Sequence, residues 1–467
     1  MLTITRRARW AVTACAIGPL LLGGCRVKDK LLEPQNPGLV DPSAVGNAAA
    51  ALALRVGAIG RIRQVETGGD ERLWQEIGNI TDEYKDADFQ PSRQDIDRRT
   101  IATSNTDYPY TSVTQPRGFL RDAISAMNTF VPDSTGLIGE LYMGLGFIEM
   151  SLAENYCNGI PLGHTDAGVV TLGPPLTNAQ VFDTASTHLD SSLLVNTQSD
   201  PGSIFVRQAS LILKARILVD KGQFAAAAAL VPSSAVPTTY QYVFTTSPAS
   251  TAVTEDNGHW QVQFSTARLT VGDSFDILNG KPNLIKNALP FVSANDPRVP
   301  IKKGAATAAE DGATPMYYSL LWQNRDDPIP MVSGIDARLI EAEAALNASD
   351  FAGMMTILNT LRSASQKIAN TVVPVMPALA PPPTTKDAAT TLFFREKAFW
   401  TFGRGQRLSD LRRLMRQYGR TEDNVFPTGI YSYAGTNGGT YGHDVNFPIP
   451  DPELVNGAFK GCIDRLP

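Results

Sequence analysis

Residues 391–417 constrain the fold more than any other stretch of the chain. Their sequence, TLFFREKAFWTFGRGQRLSDLRRLMRQ, has apolar side chains at helical spacing on both sides of a glycine-bearing break. Arginines and acids lie among these apolar positions and not on a separate face. A helix this aromatic must be largely buried, so its charges are expected to be paired. The pattern predicts a core helix with internal ion pairs, and a catalytic role for the charges is the less favoured alternative.

The same stretch resembles the C-terminal signature of the SusD/RagB family, outer-membrane lipoproteins that capture nutrients. That signature runs Arg-Glu, an aromatic helix turn, Glu-Gly-x-Arg and Asp-Leu-Arg-Arg. The matching residues here are Arg395-Glu396, Phe399-Trp400, Gly405-Gln406-Arg407 and Asp410-Leu411-Arg412-Arg413. One position departs, because Arg404 stands where the family has an acid, so any ion pair of that acid is missing or rebuilt. We predict that Glu396, Arg407 and Asp410 are structural and fix this signature helix against the rest of the fold.

Residues 1–24 are predicted to be a lipoprotein signal peptide. Three arginines precede a short apolar run, residues 10–22, which is too short to span a bilayer. The run ends in Leu22-Gly23-Gly24-Cys25, which resembles a bacterial lipobox and so implies cleavage before Cys25 and lipidation of its thiol. An ordinary secretory signal with a chance cysteine is the alternative. Acyl chains on Cys25 would supply membrane attachment, and residues 25–45 would form the lipidated tether.

The two cysteines that remain after this assignment are expected to form a disulfide. Cys15 leaves with the signal peptide and Cys25 is the lipidation site, which leaves Cys157 and Cys462 in an exported, oxidising setting. Two free buried thiols are the alternative. A pair of cysteines cannot make a structural zinc site without further ligands.

Charge and motifs argue against nucleic-acid binding and catalysis. Removing residues 1–24 removes three arginines and no acids, which leaves 38 basic residues against 46 acidic ones, a net charge of −8. Such a body has no electrostatic reason to bind nucleic acid. The sequence contains no nucleophile elbow, zinc-protease helix, P-loop or EF-hand spacing. The histidines His164, His188, His259 and His443 are scattered. We therefore predict no enzyme activity, no cofactor and no metal site.

Apolar periodicity predicts a mainly α fold, with degenerate tetratricopeptide-like helix pairs and a loop-rich, minor-β portion for the ligand. The helix pairs are expected within residues 137–231 and 335–365, and they must stack because each leaves one face uncovered. Residues 236–331 lose the periodicity and are predicted to be a loop-rich insertion. Residues 89–114 are expected to form an exposed loop. Together with the signature helix, these elements would make residues 46–467 a single SusD/RagB-like domain.

Aromatic side chains outside the helical stripes are candidate ligand contacts. Exposed rings stack on sugar faces, whose C–H groups are apolar, while nearby polar groups satisfy the hydroxyls. The candidates are Tyr108, Tyr110, Trp260, Tyr317, Tyr318, Trp322, Tyr431 and Tyr441. For each of them, packing inside the protein is the alternative. Glycan and peptide ligands would use the same kinds of side chain, so the sequence leaves the ligand and any bound calcium open.

The family resemblance implies a lipid-anchored protein on the outer surface of a bacterial outer membrane. It would bind a glycan or another nutrient oligomer and deliver it to a SusC-like TonB-dependent porin, without bond cleavage. One alternative is a repeat-based scaffold for envelope proteins, which a continuous apolar groove on the repeats would favour. The other is a surface glycoside hydrolase. Adjacent Asp82 and Glu83 do not by themselves give the separation between two acids that such an enzyme needs.

Overall fold

α-Helices form most of the framework in the computed structural model, which describes residues 45–69, 71–166, 169–305, 308–379 and 381–467. The predicted signal peptide, the lipidation site Cys25 and residues 26–44 of the tether lie outside the described residues. The α-helices are α1 (Ala48–Ile62), α2 (Leu73–Ile80), α3 (Pro91–Asp97), α4 (Asp107–Phe130), α5 (Thr135–Asn155), α6 (Asn178–Val195), α7 (Pro201–Asp220), α8 (Phe224–Leu230), α9 (Gly258–Trp260), α10 (Gly334–Asn347), α11 (Phe351–Ser363), α12 (Lys386–Trp400) and α13 (Arg407–Tyr418).

Strands among the described residues occur only as antiparallel pairs. They are β1 (Tyr84–Asp86), β2 (Ile160–Pro161), β3 (His164–Asp166), β4 (Val169–Thr171), β5 (Pro175–Leu176), β6 (Gln241–Phe244), β7 (Leu269–Val271), β8 (Phe275–Leu278), β9 (Lys281–Leu284), β10 (Ile301–Lys303), β11 (Tyr317–Ser319), β12 (Ile329–Ser333), β13 (Gln366–Ile368), β14 (Thr371–Val373), β15 (Ile430–Tyr433) and β16 (Thr436–Thr440). The predicted mainly α class with minor β content is confirmed, and the loop-rich tract from 236 to 331 holds many of the short strands.

Helix α5 lies at the centre of the helical framework and packs against α4, α6 and α7. By length and composition this helix could cross a membrane, but 78% of its apolar window is buried inside the fold. It is therefore the core helix around which its neighbours pack. The later pair, α10 and α11, packs together in the same manner, and α10 also contacts α8 and the signature helix α12. Side chains cap several of these helices, such as Ser333, which forms a capping box with Asp336 at the start of α10.

The break in the signature stretch is a tight turn that requires glycine. Helix α12 ends at Trp400 and α13 begins at Arg407. Gly403 and Gly405 both have φ of +66°, a backbone conformation that other residues adopt at a cost. A Cβ atom on Gly405 would also lie 2.3 Å from the Trp74 ring. The turn therefore brings backbone and buried aromatic rings closer than any larger residue would allow.

The expectation of an exposed loop over residues 89–114 is wrong. Helix α3 begins with Pro91, whose fixed φ suits the first turn of a helix. Helix α4 begins at Asp107 and includes Pro116 in its interior. Tyr110 and Val113 lie on its buried face at helical spacing. The polar residues between them hid this periodicity in the sequence.

One strand pair joins the loop-rich tract to a distant part of the chain, and a second joins the two ends of the tract. β1, just after α2, pairs with β7, so that Lys85 lies opposite Thr270. β6 pairs with β12 and closes the tract immediately before α10. The β1–β7 pair places the end of α2 beside the loop-rich tract, and the cavity described below lies at this junction.

The C-terminal tail returns to the end of α5. The predicted disulfide between Cys157 and Cys462 is present. Beside it, the backbone N–H of Cys157 donates to the carbonyl of Phe447 at 2.9 Å, and that of Ile463 donates to the carbonyl of Asn158 at 2.8 Å. The disulfide therefore closes a connection that backbone hydrogen bonds also hold.

Candidate functional site

The charges of the signature stretch pair with residues far away in the sequence. Glu396 is fully buried and accepts hydrogen bonds from two arginines, Arg298 at 2.7 Å and Arg362 at 3.0 Å. Arg298 comes from the loop-rich tract, where Asp296 also binds it at 2.7 Å. Glu396 thus ties the tract and helix α11 to helix α12. None of these groups lines the cavity described below, and the contacts of Glu396 agree with the structural role predicted for it.

Arg407 and Asp410 make separate ion pairs and do not pair with each other. The Arg407 guanidinium donates two hydrogen bonds to the Asp82 carboxylate, at 2.6 and 2.7 Å. Asp410 accepts from Lys397 at 2.6 Å and from Arg413 at 3.1 Å. The first pair fixes α13 to the end of α2, and the second fixes α13 to α12.

The departure at Arg404 is compensated by an acid from another element. Arg404 is buried, and its guanidinium donates to both carboxylate oxygens of Asp336, at 3.1 and 2.5 Å. Its Nε donates to the carbonyl of Pro330 at 3.1 Å. The carboxylate of Asp336, held beside this arginine despite its burial, has a pKa below its ordinary value. An ion pair therefore exists here, and the arginine comes from the signature while the acid comes from α10.

A cavity of about 230 Å³ lies beside the Asp82–Arg407 pair. Its floor is the end of α2 and strand β1, and one wall is strand β7 with the hairpin of β8 and β9. Residues 314–317, which hydrogen-bond to Thr270 of β7, and Pro427 and Tyr441 of the C-terminal part of the chain complete the lining. The charged and aromatic side chains of the lining are Asp82, Lys85, Asp97, Asp273, Phe275, Asp276, Tyr317 and Tyr441, together with Tyr84. Four separate stretches of chain thus meet at one site.

Lys85 is the cation that lines this cavity, and its ammonium group already has neighbours of its own within the protein. Nζ donates to the carbonyl of Ser432 at 2.8 Å and lies 3.3 Å from Asp276 and 3.7 Å from Asp97. Its fourth neighbour is the ring of Tyr431, whose centroid is 4.5 Å away. Burial alone would lower the pKa of this ammonium, but the carboxylates outweigh burial and hold the pKa above its ordinary value. Lys85 therefore organises the floor and keeps its charge.

The aromatic candidates are divided between the cavity, the interior and the open surface. Tyr317 and Tyr441 line the cavity. Tyr110, Trp322 and Tyr431 are only 2%, 1% and 2% exposed, which corrects the expectation that their rings are free to stack on a ligand.

The three other candidates lie outside the cavity lining. Tyr108 is 63% exposed at the start of α4. Tyr318 is half-buried, with its ring 4.8 Å from that of Phe264. Trp260 is half-buried at the end of α9. The structure thus brings two of the eight candidates, Tyr317 and Tyr441, to one cavity.

The cavity contains one ring that the sequence analysis did not select. Phe275 is 52% exposed and lines the cavity mouth from strand β8. In strand β8, Phe275 and Ile277 are exposed, whereas Asp276 between them lies against Lys85. This alternation is typical of a strand with one solvent-exposed face. That short alternation was the available signal, but four residues are too few to separate a strand from a loop. Among the described residues, no group of three or more metal-ligating side chains is placed to hold a metal ion.

Comparison with known proteins identifies the fold. No protein-family model matches the sequence, and no curated protein matches it. Solved structures do match. A laminarin-binding SusD-like protein aligns with a TM-score of 0.61 at 15% identity, over 89% of this chain and 99% of that one.

Two further solved structures agree with this match. A SusD-like carbohydrate-binding protein from Bacteroides vulgatus ATCC 8482 gives a TM-score of 0.59 at 12% identity, over 90% of this chain and 98% of that one. A SusD-like protein from Bacteroides fragilis NCTC 9343 gives a TM-score of 0.61 at 13% identity, over 91% of this chain and 98% of that one. This chain therefore has the fold of SusD/RagB proteins, as its signature stretch predicted. Identity this low defines the fold and leaves function to be argued from the site.

Three buried acids, Glu66, Glu76 and Glu83, are expected to make stability depend on pH. Burial raises the pKa of Glu83 to about 8, although its carboxyl accepts a hydrogen bond from the Gly403 N–H at 2.9 Å. Burial likewise raises the pKa of Glu76 to about 8 and that of Glu66 to about 7. Burial lowers the pKa of His259 to about 3. The contribution of this imidazole to stability therefore changes with pH only below its ordinary pKa of 6.5. Between pH 6.5 and 8.5 the three acids, and not His259, therefore determine how the free energy of unfolding changes with pH.

We expect the free energy of unfolding to fall between pH 6.5 and pH 8.5. In the folded protein these carboxyls keep protons that the unfolded chain has already lost above its ordinary pKa of 4.5. Their stabilising contribution is complete below pH 4.5 and is lost as the pH rises through about 8. Urea unfolding at the two pH values should show a loss of at least about 1 kcal/mol. Glu83→Gln should reduce that loss, and an unchanged loss in this variant would exclude Glu83 as a source.

Proposed function

We propose that this protein binds a glycan in the cavity beside Asp82, without cleaving it. The observation that carries the proposal is the pairing of two accessible rings, Phe275 and Tyr317, with a polar floor in one concave site. Rings of this kind stack on the C–H faces of sugars, while carboxylates accept hydrogen bonds from the sugar hydroxyls and protein hydroxyls can donate to them or accept from them. The structural relatives described as laminarin-binding and carbohydrate-binding support the same ligand class.

The charges in the cavity favour binding over hydrolysis. A glycoside hydrolase needs one carboxyl free to give a proton and a second free to attack or to activate water. Asp82 is held by Arg407, and both Asp97 and Asp276 lie against Lys85. Arg407 therefore engages one of these carboxylates and Lys85 is shared by the other two. Among the carboxylates that line the cavity, this leaves Asp273 outside an ion pair with any described residue, and a single carboxyl cannot supply both catalytic functions. The proposed role is capture and release of the sugar.

We propose further that the protein is anchored on the outer surface of the outer membrane through Cys25 and delivers its ligand to a SusC-like TonB-dependent porin. The SusD-like fold and the lipobox-like sequence support this placement. In this scheme the porin and its energising partners drive transport, and this protein supplies the binding step. Cross-linking in native outer membranes, followed by mass spectrometry, should recover a TonB-dependent porin. Recovery of other envelope proteins in its place would favour the scaffold alternative.

Removal of either cavity ring should weaken glycan binding. The test begins with a glycan array on the purified protein, followed by calorimetry with the glycan that binds best. Phe275→Ala and Tyr317→Ala should each raise the Kd about 5- to 30-fold, because each removes a stacking surface worth about 1–2 kcal/mol. The matched control is Phe89→Ala, since Phe89 is 61% exposed and does not line the cavity.

Three other results would contradict the proposal. Unchanged affinity in both ring variants would place the ligand elsewhere on the surface. New reducing ends after incubation with the bound glycan would make the protein a hydrolase. Absence of any glycan binding, combined with stable capture of an envelope protein, would leave the scaffold function.

A further inference from the structure

The cavity of the proposed function is unevenly charged. Four carboxylates line it, those of Asp82, Asp97, Asp273 and Asp276, against the single ammonium of Lys85. Arg407 lies behind the floor and neutralises Asp82. Lys85 offsets one further carboxylate, so two negative charges on the lining have no cation of their own among the residues that line the cavity. A ligand that enters this space meets a negative potential.

No lining cation is free to receive an acidic ligand. The ammonium of Lys85 donates a hydrogen bond to the Ser432 carbonyl, and its charge lies between the carboxylates of Asp276 at 3.3 Å and Asp97 at 3.7 Å, so it is already committed to two acids. A uronate or sulfate placed here would lie beside like charges without a positive partner, and such burial is costly. The lining therefore discriminates against anionic sugars.

Two polar groups on the lining retain capacity for a ligand. The Asp273 side chain accepts the Ser274 N–H and the Ser293 hydroxyl through one oxygen, both at 2.8 Å. Its second oxygen has no hydrogen bond to the part of the chain that the structure describes. Tyr441 is only 8% exposed and lines the cavity, and its hydroxyl likewise makes no hydrogen bond to any described residue. A hydroxyl that lines a cavity and has no protein partner is available to hydrogen-bond a ligand or water.

We propose that the cavity selects a sugar that carries a free amino group, with the ammonium directed to Asp273 and a sugar hydroxyl directed to Tyr441. This inference rests on the proposed glycan-binding function and specifies the charge of its ligand. An ammonium group supplies the positive charge that the lining lacks and donates hydrogen bonds that a carboxylate can accept. The flanking rings favour a sugar over a flexible amine, because they require a flat apolar face.

The test uses three sugars of one shape and different charge. Binding of methyl glycosides of glucosamine, glucose and glucuronate to the purified protein is measured by protein-observed NMR at millimolar concentration. We expect glucosamine to bind on the order of tenfold more tightly than glucose, and glucuronate to bind more weakly than glucose. In Asp273→Asn the glucosamine preference should fall several-fold, while the new amide can keep the hydrogen bonds from Ser274 and Ser293. The control is Asp451→Asn, an exposed acid that does not line the cavity, which should keep the full preference.

The outcomes separate this inference from the function on which it rests. Equal or tighter binding of glucose or glucuronate overturns the charge inference and leaves glycan binding intact. An unchanged preference in Asp273→Asn also overturns it. Failure of every sugar to bind, on the array and in this assay, overturns both. Tighter binding of a blocked lysine amide than of glucosamine would assign the site to basic peptides and would overturn the sugar assignment.

Discussion

Replacing Arg407 by methionine is expected to lower the free energy of unfolding by about 3–5 kcal/mol. The Arg407 side chain is 5% exposed and that of Asp82 is 1% exposed, so solvent cannot take over the role of the arginine. In the variant the Asp82 carboxylate would stay buried without its cation. It would keep the hydrogen bond from the Leu289 N–H, at 2.8 Å. Equilibrium unfolding in urea, followed by circular dichroism, measures the change.

A double-mutant cycle distinguishes the pair from the loss of packing alone. Asp82→Asn in the Arg407→Met background removes the uncompensated charge, so the double variant should be more stable than Arg407→Met alone. The control is Arg420→Met, whose partner Asp387 is 85% exposed. An ion pair with one partner so exposed to solvent contributes little. Its loss should lower the free energy of unfolding by less than about 1 kcal/mol. Equal costs at the two arginines would contradict the structural role assigned to Arg407.

The same variant connects the framework to the proposed binding site. Asp82 lines the cavity, and the segment after β9 is held to it through the Leu289 N–H. Loosening this carboxylate should therefore disturb the floor as well as the helix contact. The signature stretch then influences ligand binding through the position of Asp82, without touching the ligand itself.

Local sequence carried enough information to predict burial and the internal break in the signature stretch, although helix α12 begins at Lys386, before that stretch. Aromatic residues at helical spacing indicated a buried helix, and Gly403 and Gly405 indicated the break between α12 and α13. The ion-pair partners were not predictable, because Asp82, Arg298 and Asp336 lie in three distant segments and charge alone does not select among acids or arginines. Arg404 illustrates this limit: it looked unpaired in the sequence, and its acid is supplied by α10.

The cavity was harder to predict than the framework for a related reason. Its walls come from β1, β7, β8 and the C-terminal tail, and non-local strand pairing joins them. Aromatic residues in irregular sequence had equal chances of facing solvent or the interior. Trp322 illustrates the second case, since its ring stacks on His259 with centroids 4.5 Å apart. Phe275 is a ring that faces solvent, and it lies in a strand too short to recognise from the sequence.

Removal of the disulfide is expected to cost about 2–5 kcal/mol of the free energy of unfolding. Cys157 and Cys462 are separated by 305 residues, so the bond restricts an exceptionally long loop of the unfolded chain. The test compares the oxidised protein with Cys157→Ala/Cys462→Ser in urea. Alanine suits position 157 because that side chain is fully buried and a hydroxyl there would need a partner.

Hydrogen bonds beside the disulfide decide whether the whole fold or only the tail responds. Asn158 donates to Asp464 at 2.9 Å, and the Cys157 and Ile463 N–H groups bond across the same junction. We expect these contacts to keep the tail docked in the variant, so that unfolding stays a single transition at lower urea concentration. A reducing agent should shift the natural protein to the same midpoint and leave the variant unchanged. If hydrogen exchange instead shows residues 443–467 opening alone while the main transition is unmoved, the disulfide stabilises only the tail, because the rest of the fold does not depend on that loop closure.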